Sequence, residues 1–136
     1  MNLETVFSIA STLVMPQWIL MAFAPNWSVT QWLVRSYLIP IILAAMYAFY
    51  IISGMGNMDF RAFGTLAGVM KLFMMEQAVL AGWIHYFCFD LFTGSWILKD
   101  AQERGVKHLL VIPCLFFCFM LGPIGLLIYL IIRKLS

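Results

Sequence analysis

Two ionisable side chains, His85 and Asp90, lie within an otherwise apolar stretch that is long enough to cross a bilayer. An ionisable side chain at that depth costs at least ~2.5 kcal/mol, so membrane proteins that keep one generally use it. A carboxyl in apolar surroundings favours its neutral form, which a general acid needs, and a partly desolvated imidazole favours the neutral form that a general base needs. The sequence therefore predicts acid and base chemistry by Asp90 and His85.

Both residues also have a purely structural interpretation. Asp90 could form a hydrogen bond between helices, and His85 could be a packed histidine whose nitrogens are satisfied. On one helix the two residues lie about 140° apart around the axis and ~7.5 Å apart along it, so they cannot form one tight pair there. We expect them either to line two sides of a cavity or to meet partners on different helices.

Three further polar residues, Asp100, Glu103 and His108, follow the same stretch at the expected membrane surface. Asp100 and Glu103 share one helix face, because they are three residues apart. Two carboxylates and an imidazole could together bind a divalent metal. The alternative is a solvated interfacial loop with local salt bridges.

The elements that position these residues are predicted to be membrane helices. Hydrophobic residues make up 64% of the 136-residue chain, charged residues make up 10%, and the mean hydropathy is +0.97. These values lie outside the range of soluble domains. The sequence lacks the alternating pattern of a membrane β-barrel, and its net charge of +2 gives no basic surface for nucleic acid. The three cysteines are interpreted as small buried side chains.

Four apolar runs have the ~20 residues that a helix needs to cross the hydrocarbon layer. We predict an all-α integral membrane bundle of four transmembrane helices in a single domain, residues 1–136. The charges do not set its orientation, because four Lys and Arg residues fall on each side of the membrane. The predicted spans are residues 5–24, 33–53, 77–98 and 108–132.

An interfacial amphipathic helix is predicted between spans two and three, within residues 59–75. Its apolar residues recur near helical spacing, and Arg61 and Lys71 lie off that stripe. Pro16 and Pro40 are expected to bend spans one and two, because proline has no backbone N–H.

Several runs in the C-terminal half resemble the plant neoxanthin-synthesis membrane proteins of the abscisic-acid-deficient-4 type and their bacterial relatives. The four-span layout and the overall length agree with that family over the rest of the chain. The matching runs are Gly82-Trp83-Ile84-His85-Tyr86, Phe89-Asp90-Leu91-Phe92-Thr93-Gly94-Ser95-Trp96-Ile97, Asp100-Ala101, Gly105, His108-Leu109-Leu110-Val111-Ile112-Pro113-Cys114 and Gly122-Pro123-Ile124-Gly125 with residues 126–133.

The resemblance implies a function in carotenoid metabolism, since this family is linked to the conversion of violaxanthin into neoxanthin. In that isomerisation an acid protonates the epoxide oxygen and a base removes a proton from the adjoining polyene, so that an allene forms. The reaction requires no redox cofactor, although the chain could also bind a divalent metal. Asp90 is then the predicted acid and His85 the predicted base, acting on a carotenoid or a related isoprenoid lipid. The residues expected to bind the substrate are Trp83, Tyr86, Phe89, Trp96 and Pro113.

The alternative function is a non-catalytic membrane scaffold or lipid-binding subunit, in which the polar residues hold helices together. Such a protein would form a homo-oligomer or bind another membrane protein. A small transporter is a weaker third hypothesis, because the spans contain few polar residues. The first span has no Arg-rich, Ser-rich presequence before it. A bacterial inner membrane is therefore the expected location, whereas the plant relatives belong to plastid membranes.

Overall fold

The computed structural model describes residues 2–54 and 59–136, and every regular element in these ranges is helical. The all-helical prediction is confirmed. A short 3-10 helix, Phe60–Gly64, lies between α3 and α4. The α-helices are α1 (Leu3–Phe23), α2 (Ser28–Ser36), α3 (Leu38–Gly54), α4 (Leu66–Leu72), α5 (Glu76–Arg104) and α6 (His108–Leu135).

Three segments have the length and the apolar composition to cross a membrane, namely Leu3–Phe23, Ser28–Gly54 and His108–Leu135. Helices α4 and α5 pass the same test as a pair, but they meet at an angle of 103°. The described chain therefore has three to four helices that are apolar enough for a membrane.

Helix α5 is the centre of the bundle, because α1, α2, α3 and α6 all pack against it. A Cβ atom on Gly94 would lie 2.6 Å from the ring of Trp18, so this glycine lets α1 approach α5 closely. Next to this contact, the fully buried Gln17 of α1 donates a hydrogen bond of 2.8 Å to Ser95 of α5. The middle of α5 is thus fixed to α1 by both packing and a polar contact.

The second predicted span is interrupted at Tyr37, which has left-handed backbone angles (φ 54°, ψ 29°). Pro40 lies in the first turn of α3, where a missing N–H costs no helical hydrogen bond. The expected bend is therefore a break that precedes the proline. Pro16, in contrast, lies inside α1 without ending it.

The predicted amphipathic helix over residues 59–75 is two shorter pieces. Asp59 caps the 3-10 helix by accepting a hydrogen bond from the Arg61 N–H, and Thr65 caps α4 by accepting one from the Gly68 N–H, each 3.0 Å long. Thr65 has extended backbone angles, so one continuous helix cannot pass through it. Both pieces still expose large apolar side chains: Phe60, Phe63, Leu66 and Met70.

Helix α6 turns back on itself at Leu121, whose backbone is not helical (φ −143°, ψ 65°). A Cβ atom on Gly125 would overlap backbone atoms of Cys118 and Cys114. In a straight helix Gly125 and Cys114 would be ~16 Å apart along the axis, so the two halves of α6 must lie side by side. The predicted fourth span, residues 108–132, is therefore a pair of half-length segments and differs from a single straight crossing.

The turn in α6 returns its C-terminal residues to the C-terminal end of α5. Tyr129 donates a hydrogen bond of 2.5 Å to Asp100, and Arg133 donates one of 2.8 Å to the same carboxyl. His108, the first residue of α6, follows α5 after a short connection. Both ends of α6 therefore lie at one end of the bundle.

Candidate functional site

A cavity of about 320 Å³ lies between α3, α5 and the segment that contains α4. Its wall is mostly apolar, and the polar side chains in it are Tyr47, Tyr50, Gln77 and His85. An apolar cavity of ~300–1,000 Å³ with a few polar groups is the usual form of a small-molecule site. This cavity is therefore a candidate ligand site in the part of the chain that the structure describes.

His85 lies on the cavity wall and is exposed to the surroundings. Its ring packs edge-on against Tyr47 of α3 at 5.5 Å and lies 4.8 Å from the ring of Phe89, one turn further along α5. The described residues supply no hydrogen bond to the imidazole nitrogens. The aromatic neighbours thus contact the ring on two sides, and none of the described residues occupies its nitrogens.

Gln77 and Gly82 shape the rest of the wall on the α5 side. The Gln77 side chain donates to the Tyr50 carbonyl (3.1 Å) and to the Ser53 hydroxyl (3.2 Å), which ties α5 to the end of α3. A Cβ atom on Gly82 would lie 2.9 Å from the ring of Phe73, so the missing side chain leaves room for that ring in the wall.

Asp90 lies on another face of α5, against the turn in α6. A Cβ atom on Gly122 would overlap the Asp90 carboxyl, and the Cys118 thiol donates to the Asp90 carbonyl at 3.4 Å. The Oδ2 atom of Asp90 is buried and has no hydrogen-bond partner among residues 2–54 and 59–136. Leaving a buried polar atom unpaired is costly, so such an atom commonly marks a site with a function or an additional ligand.

Tyr86 braces the turn in α6. Its hydroxyl donates to the carbonyls of Met120 (2.8 Å) and Phe119 (3.2 Å). Pro123 has no N–H, so the Phe119 carbonyl lacks the donor that a regular helix would supply, and Tyr86 replaces it. Trp83 stacks on the Tyr86 ring at 5.1 Å. The predicted substrate contacts Trp83 and Tyr86 therefore also support the fold of α6.

The structure does not bring His85 and Asp90 together in one cavity. His85 faces α3, whereas Asp90 faces α6, in agreement with their separation of about 140° on one helix. Of the two, only His85 lines the cavity described above. These two residues therefore do not form an acid–base pair that could act on adjacent atoms of one bound molecule.

The other predicted substrate-binding residues do not converge either. Phe89 is exposed next to His85, and Pro113 is exposed within α6. Trp96 packs edge-on against Tyr129 at 5.7 Å, in the C-terminal half of α5. Only Phe89 lies near the cavity.

Asp100 is held by residues of both α5 and α6. In addition to Tyr129 and Arg133, the Arg104 guanidinium lies 3.3 Å from its carboxyl. Burial acts to raise the pKa of Asp100. The hydrogen bonds from Arg133 and Tyr129 and the charges of the two arginines outweigh it and hold that pKa below its ordinary value of 3.8. We call these four residues the Asp100 clamp.

The predicted metal ligands Asp100, Glu103 and His108 are not assembled as a set. Asp100 is occupied by the clamp, Glu103 points to the exposed surface, and the His108 Nε2 lies 2.8 Å from the Ala22 carbonyl. No group of three or more His, Cys, Asp or Glu residues that could hold a metal occurs in the ranges that the structure describes. The geometry therefore gives the metal prediction no support, because its residues have other partners.

Sequence reasoning missed the turn in α6 and the Asp100 clamp. The signal for the turn is Gly122-Pro123 followed by Gly125, in which small residues allow a close backbone approach. The signal for the clamp is Tyr129 and Arg133, which are four residues apart and share a helix face.

The chain resembles known sequences over most of its length. The sequence profile described as ABA DEFICIENT 4-like matches residues 5–129. The chain is 27% identical over 141 aligned residues to "Protein ABA DEFICIENT 4, chloroplastic" of Arabidopsis thaliana. The alignment covers 97% of this chain and 62% of that relative, so the chain spans less than two thirds of the relative's length. No solved structure matches the chain.

Proposed function

Because this chain belongs to the ABA DEFICIENT 4-like family, we propose that it binds a carotenoid or a related isoprenoid in the membrane and isomerises it. The observation that carries this proposal is the largely apolar cavity with His85 in its wall. Aromatic and aliphatic walls suit a polyene, and the few polar side chains suit an oxygen-bearing end group. A full-length carotenoid is larger than the cavity, so one end of the molecule occupies it.

In this proposal, His85 carries both the acid and the base steps. A protonated imidazole gives its proton to the epoxide oxygen while the carbon–oxygen bond opens. The neutral imidazole that remains removes a proton from the adjoining carbon, whose C–H electrons form the new double bond of the allene. The two proton transfers balance, as an isomerisation requires. The scheme uses neither a redox cofactor nor a metal.

Asp90 is the second candidate for the acid. Its support is the buried Oδ2 at the turn in α6, which has no hydrogen-bond partner among the residues that the structure describes. An Asp90 mechanism needs the reacting end of the substrate on the α6 side of α5, away from His85.

The second candidate function is the non-catalytic scaffold or lipid-binding subunit, as a homo-oligomer or with another membrane protein. Polar contacts between helices favour it: Gln17 with Ser95, Tyr86 with the carbonyls of α6, and the Asp100 clamp. For either function we propose a bacterial inner membrane as the location. The apolar helices and the chloroplastic relative support membrane association.

A conversion assay tests the isomerase proposal. The full chain is reconstituted in liposomes with violaxanthin, and pigments are followed by chromatography, absorption and mass. We expect a product of unchanged mass with a different spectrum, and a loss of at least ~100-fold in rate for His85→Gln. Asp90→Asn should keep most of the rate. A loss of conversion rate in Asp90→Asn alone would assign the acid step to Asp90. The absence of product from every carotenoid tested would favour the scaffold function.

Two glycine variants test whether the cavity is the binding site. Gly82→Ala adds a methyl group 2.9 Å from the Phe73 ring and so disturbs the cavity wall, whereas the matched Gly64→Ala adds one that meets nothing within 4 Å. We expect Gly82→Ala to raise the KM several-fold and Gly64→Ala to leave it unchanged. Equal KM values for both variants and the wild type would place the substrate elsewhere.

A further inference from the structure

The fold-back of α6 places two positive charges at a different end of the bundle than a straight α6 would. Arg133 and Lys134 follow the last apolar turns of α6, so a straight crossing would carry them to the far side of the membrane. The close approach of Gly125 to Cys118 and the bond from Arg133 to Asp100 instead return them to the side where α6 begins.

Hydrogen bonds between helices mark this end of the bundle independently. The His108 side chain contacts the Ala22 carbonyl at the end of α1. Gln31 near the start of α2 donates to Gln102 near the end of α5 at 2.8 Å. The end of α1, the start of α2, the end of α5 and both ends of α6 therefore lie together, and we call this the cationic end.

Six of the eight Lys and Arg residues belong to the cationic end. Arg35, in α2, turns its side chain towards that end, because its Nε donates to Gln31 at 3.4 Å. The other two, Arg61 and Lys71, lie in the 3-10 helix and α4 at the opposite end. That end is marked by the contact between Phe7 and Trp83. The six are Arg35, Lys99, Arg104, Lys107, Arg133 and Lys134.

We propose that the chain crosses the membrane three times, with α6 re-entering from the cationic end, and that the cationic end faces the anionic lipid headgroups of the cytoplasmic leaflet. Lys and Arg close to membrane spans set orientation, and acidic residues contribute little. Six Lys and Arg residues on one side against two on the other set a clear orientation, whereas four full crossings would place four on each side. Within the described chain, ion pairs engage Arg104 and Arg133 but none of the three lysines at this end. These lysines, Lys99, Lys107 and Lys134, can therefore meet lipid phosphates.

Cysteine labelling in intact bacterial cells tests both parts of the proposal. Single cysteines replace Phe60, Val106 or Ser136 in a chain whose three native cysteines are alanine, and a membrane-impermeant maleimide is added before or after lysis. We expect the cysteine at position 60 to be labelled in intact cells, and those at 106 and 136 only after lysis. Opposite exposure of positions 106 and 136 would show that α6 crosses fully. Labelling of positions 106 and 136 in intact cells would show that the orientation is opposite to the one proposed.

A fusion experiment covers the case in which the cysteine-free chain does not fold. Green fluorescent protein or alkaline phosphatase is joined after Ser136 of the otherwise unchanged chain. The proposal predicts a fluorescent protein fusion and an inactive phosphatase fusion, because the C-terminal end stays in the cytoplasm. A dark fluorescent protein with an active phosphatase would overturn it. Neither readout depends on an isomerase activity.

Discussion

The two halves of α5 are held in contrasting ways. The C-terminal half is enclosed by other helices and joined to them through the Gln17–Ser95 bond, the Gln31–Gln102 bond and the Asp100 clamp. The N-terminal half has fewer enclosed residues and carries His85 in the wall of an open cavity. The buried residues of α5 are Leu80, Ala81 and Ile84 in the first half, and Leu91, Gly94, Ser95, Ile97, Leu98 and Ala101 in the second.

In the proposed function, this contrast separates stability from ligand binding along one helix. Buried contacts between helices favour a rigid C-terminal half, whereas a region with few buried contacts can rearrange around a ligand. Substitutions in the C-terminal half should therefore lower the free energy of unfolding, and substitutions at the cavity should change binding or turnover.

The largest expected loss of stability comes from Gly125→Ala. The new methyl group would meet the backbone of Cys118 and Cys114, which cannot rotate away as a side chain can. Overpacking of this kind costs ~1–3 kcal/mol, with more for rigid neighbours. Thermal unfolding in detergent should show a clearly lower Tm than the control Gly64→Ala. A wild-type Tm for Gly125→Ala would contradict the fold-back of α6.

Asp100→Ala should have the next largest effect. It leaves Tyr129 without its acceptor and removes the partner of two arginines. Because both guanidinium groups are partly exposed, the expected cost is about 1–2 kcal/mol. Glu103→Ala, at an exposed position nearby, is the matched control and should unfold like the wild type. Equal Tm values for the two variants would mean that the clamp adds nothing to stability.

A pH titration of unfolding should show a smaller effect with a defined sign. Because the folded-state pKa of Asp100 lies below its ordinary value of 3.8, the stabilisation is fully present above that value. It is lost as the pH falls through the lower folded-state pKa. The wild-type Tm should therefore decrease on acidification below about pH 4, and Asp100→Asn should decrease less. Parallel curves for the two proteins would exclude this carboxyl as the source.

The smallest expected effect on stability is that of His85→Gln. His85 is exposed and its imidazole lacks a hydrogen bond to the described residues, so the Tm should change by less than the equivalent of ~0.5 kcal/mol. Turnover in the conversion assay should nevertheless be lost. A large fall in Tm would show that His85 has a structural role, like the residues in the C-terminal half of α5.

Composition and apolar run length were enough to predict helices that could span a membrane. The angular relation of His85 and Asp90 on one helix also predicted that they would not pair. Both inferences depend on local geometry, which every α-helix shares. The partners of the two residues were outside the reach of this reasoning, because they lie on α3 and α6.

The direction of α6 could not be obtained from hydropathy. An apolar segment of 28 residues has the same average whether it is straight or folded in half. The decisive details are small: the missing N–H of Pro123 and the close backbone approach at Gly125. The amphipathic segment was divided for a similar reason, since the cap at Thr65 ends one helix and begins another.

The turn at Leu121 also bears on how the last part of the chain enters the membrane during synthesis. A helix that crosses with Arg133 and Lys134 at its end must transfer two charges through hydrocarbon, at ~2.5–3.5 kcal/mol for each one. A hairpin that enters and leaves from one side keeps both charges in the aqueous layer throughout. Insertion of α6 therefore requires only the partitioning of its apolar turns and can follow the other helices without moving any charge across the bilayer.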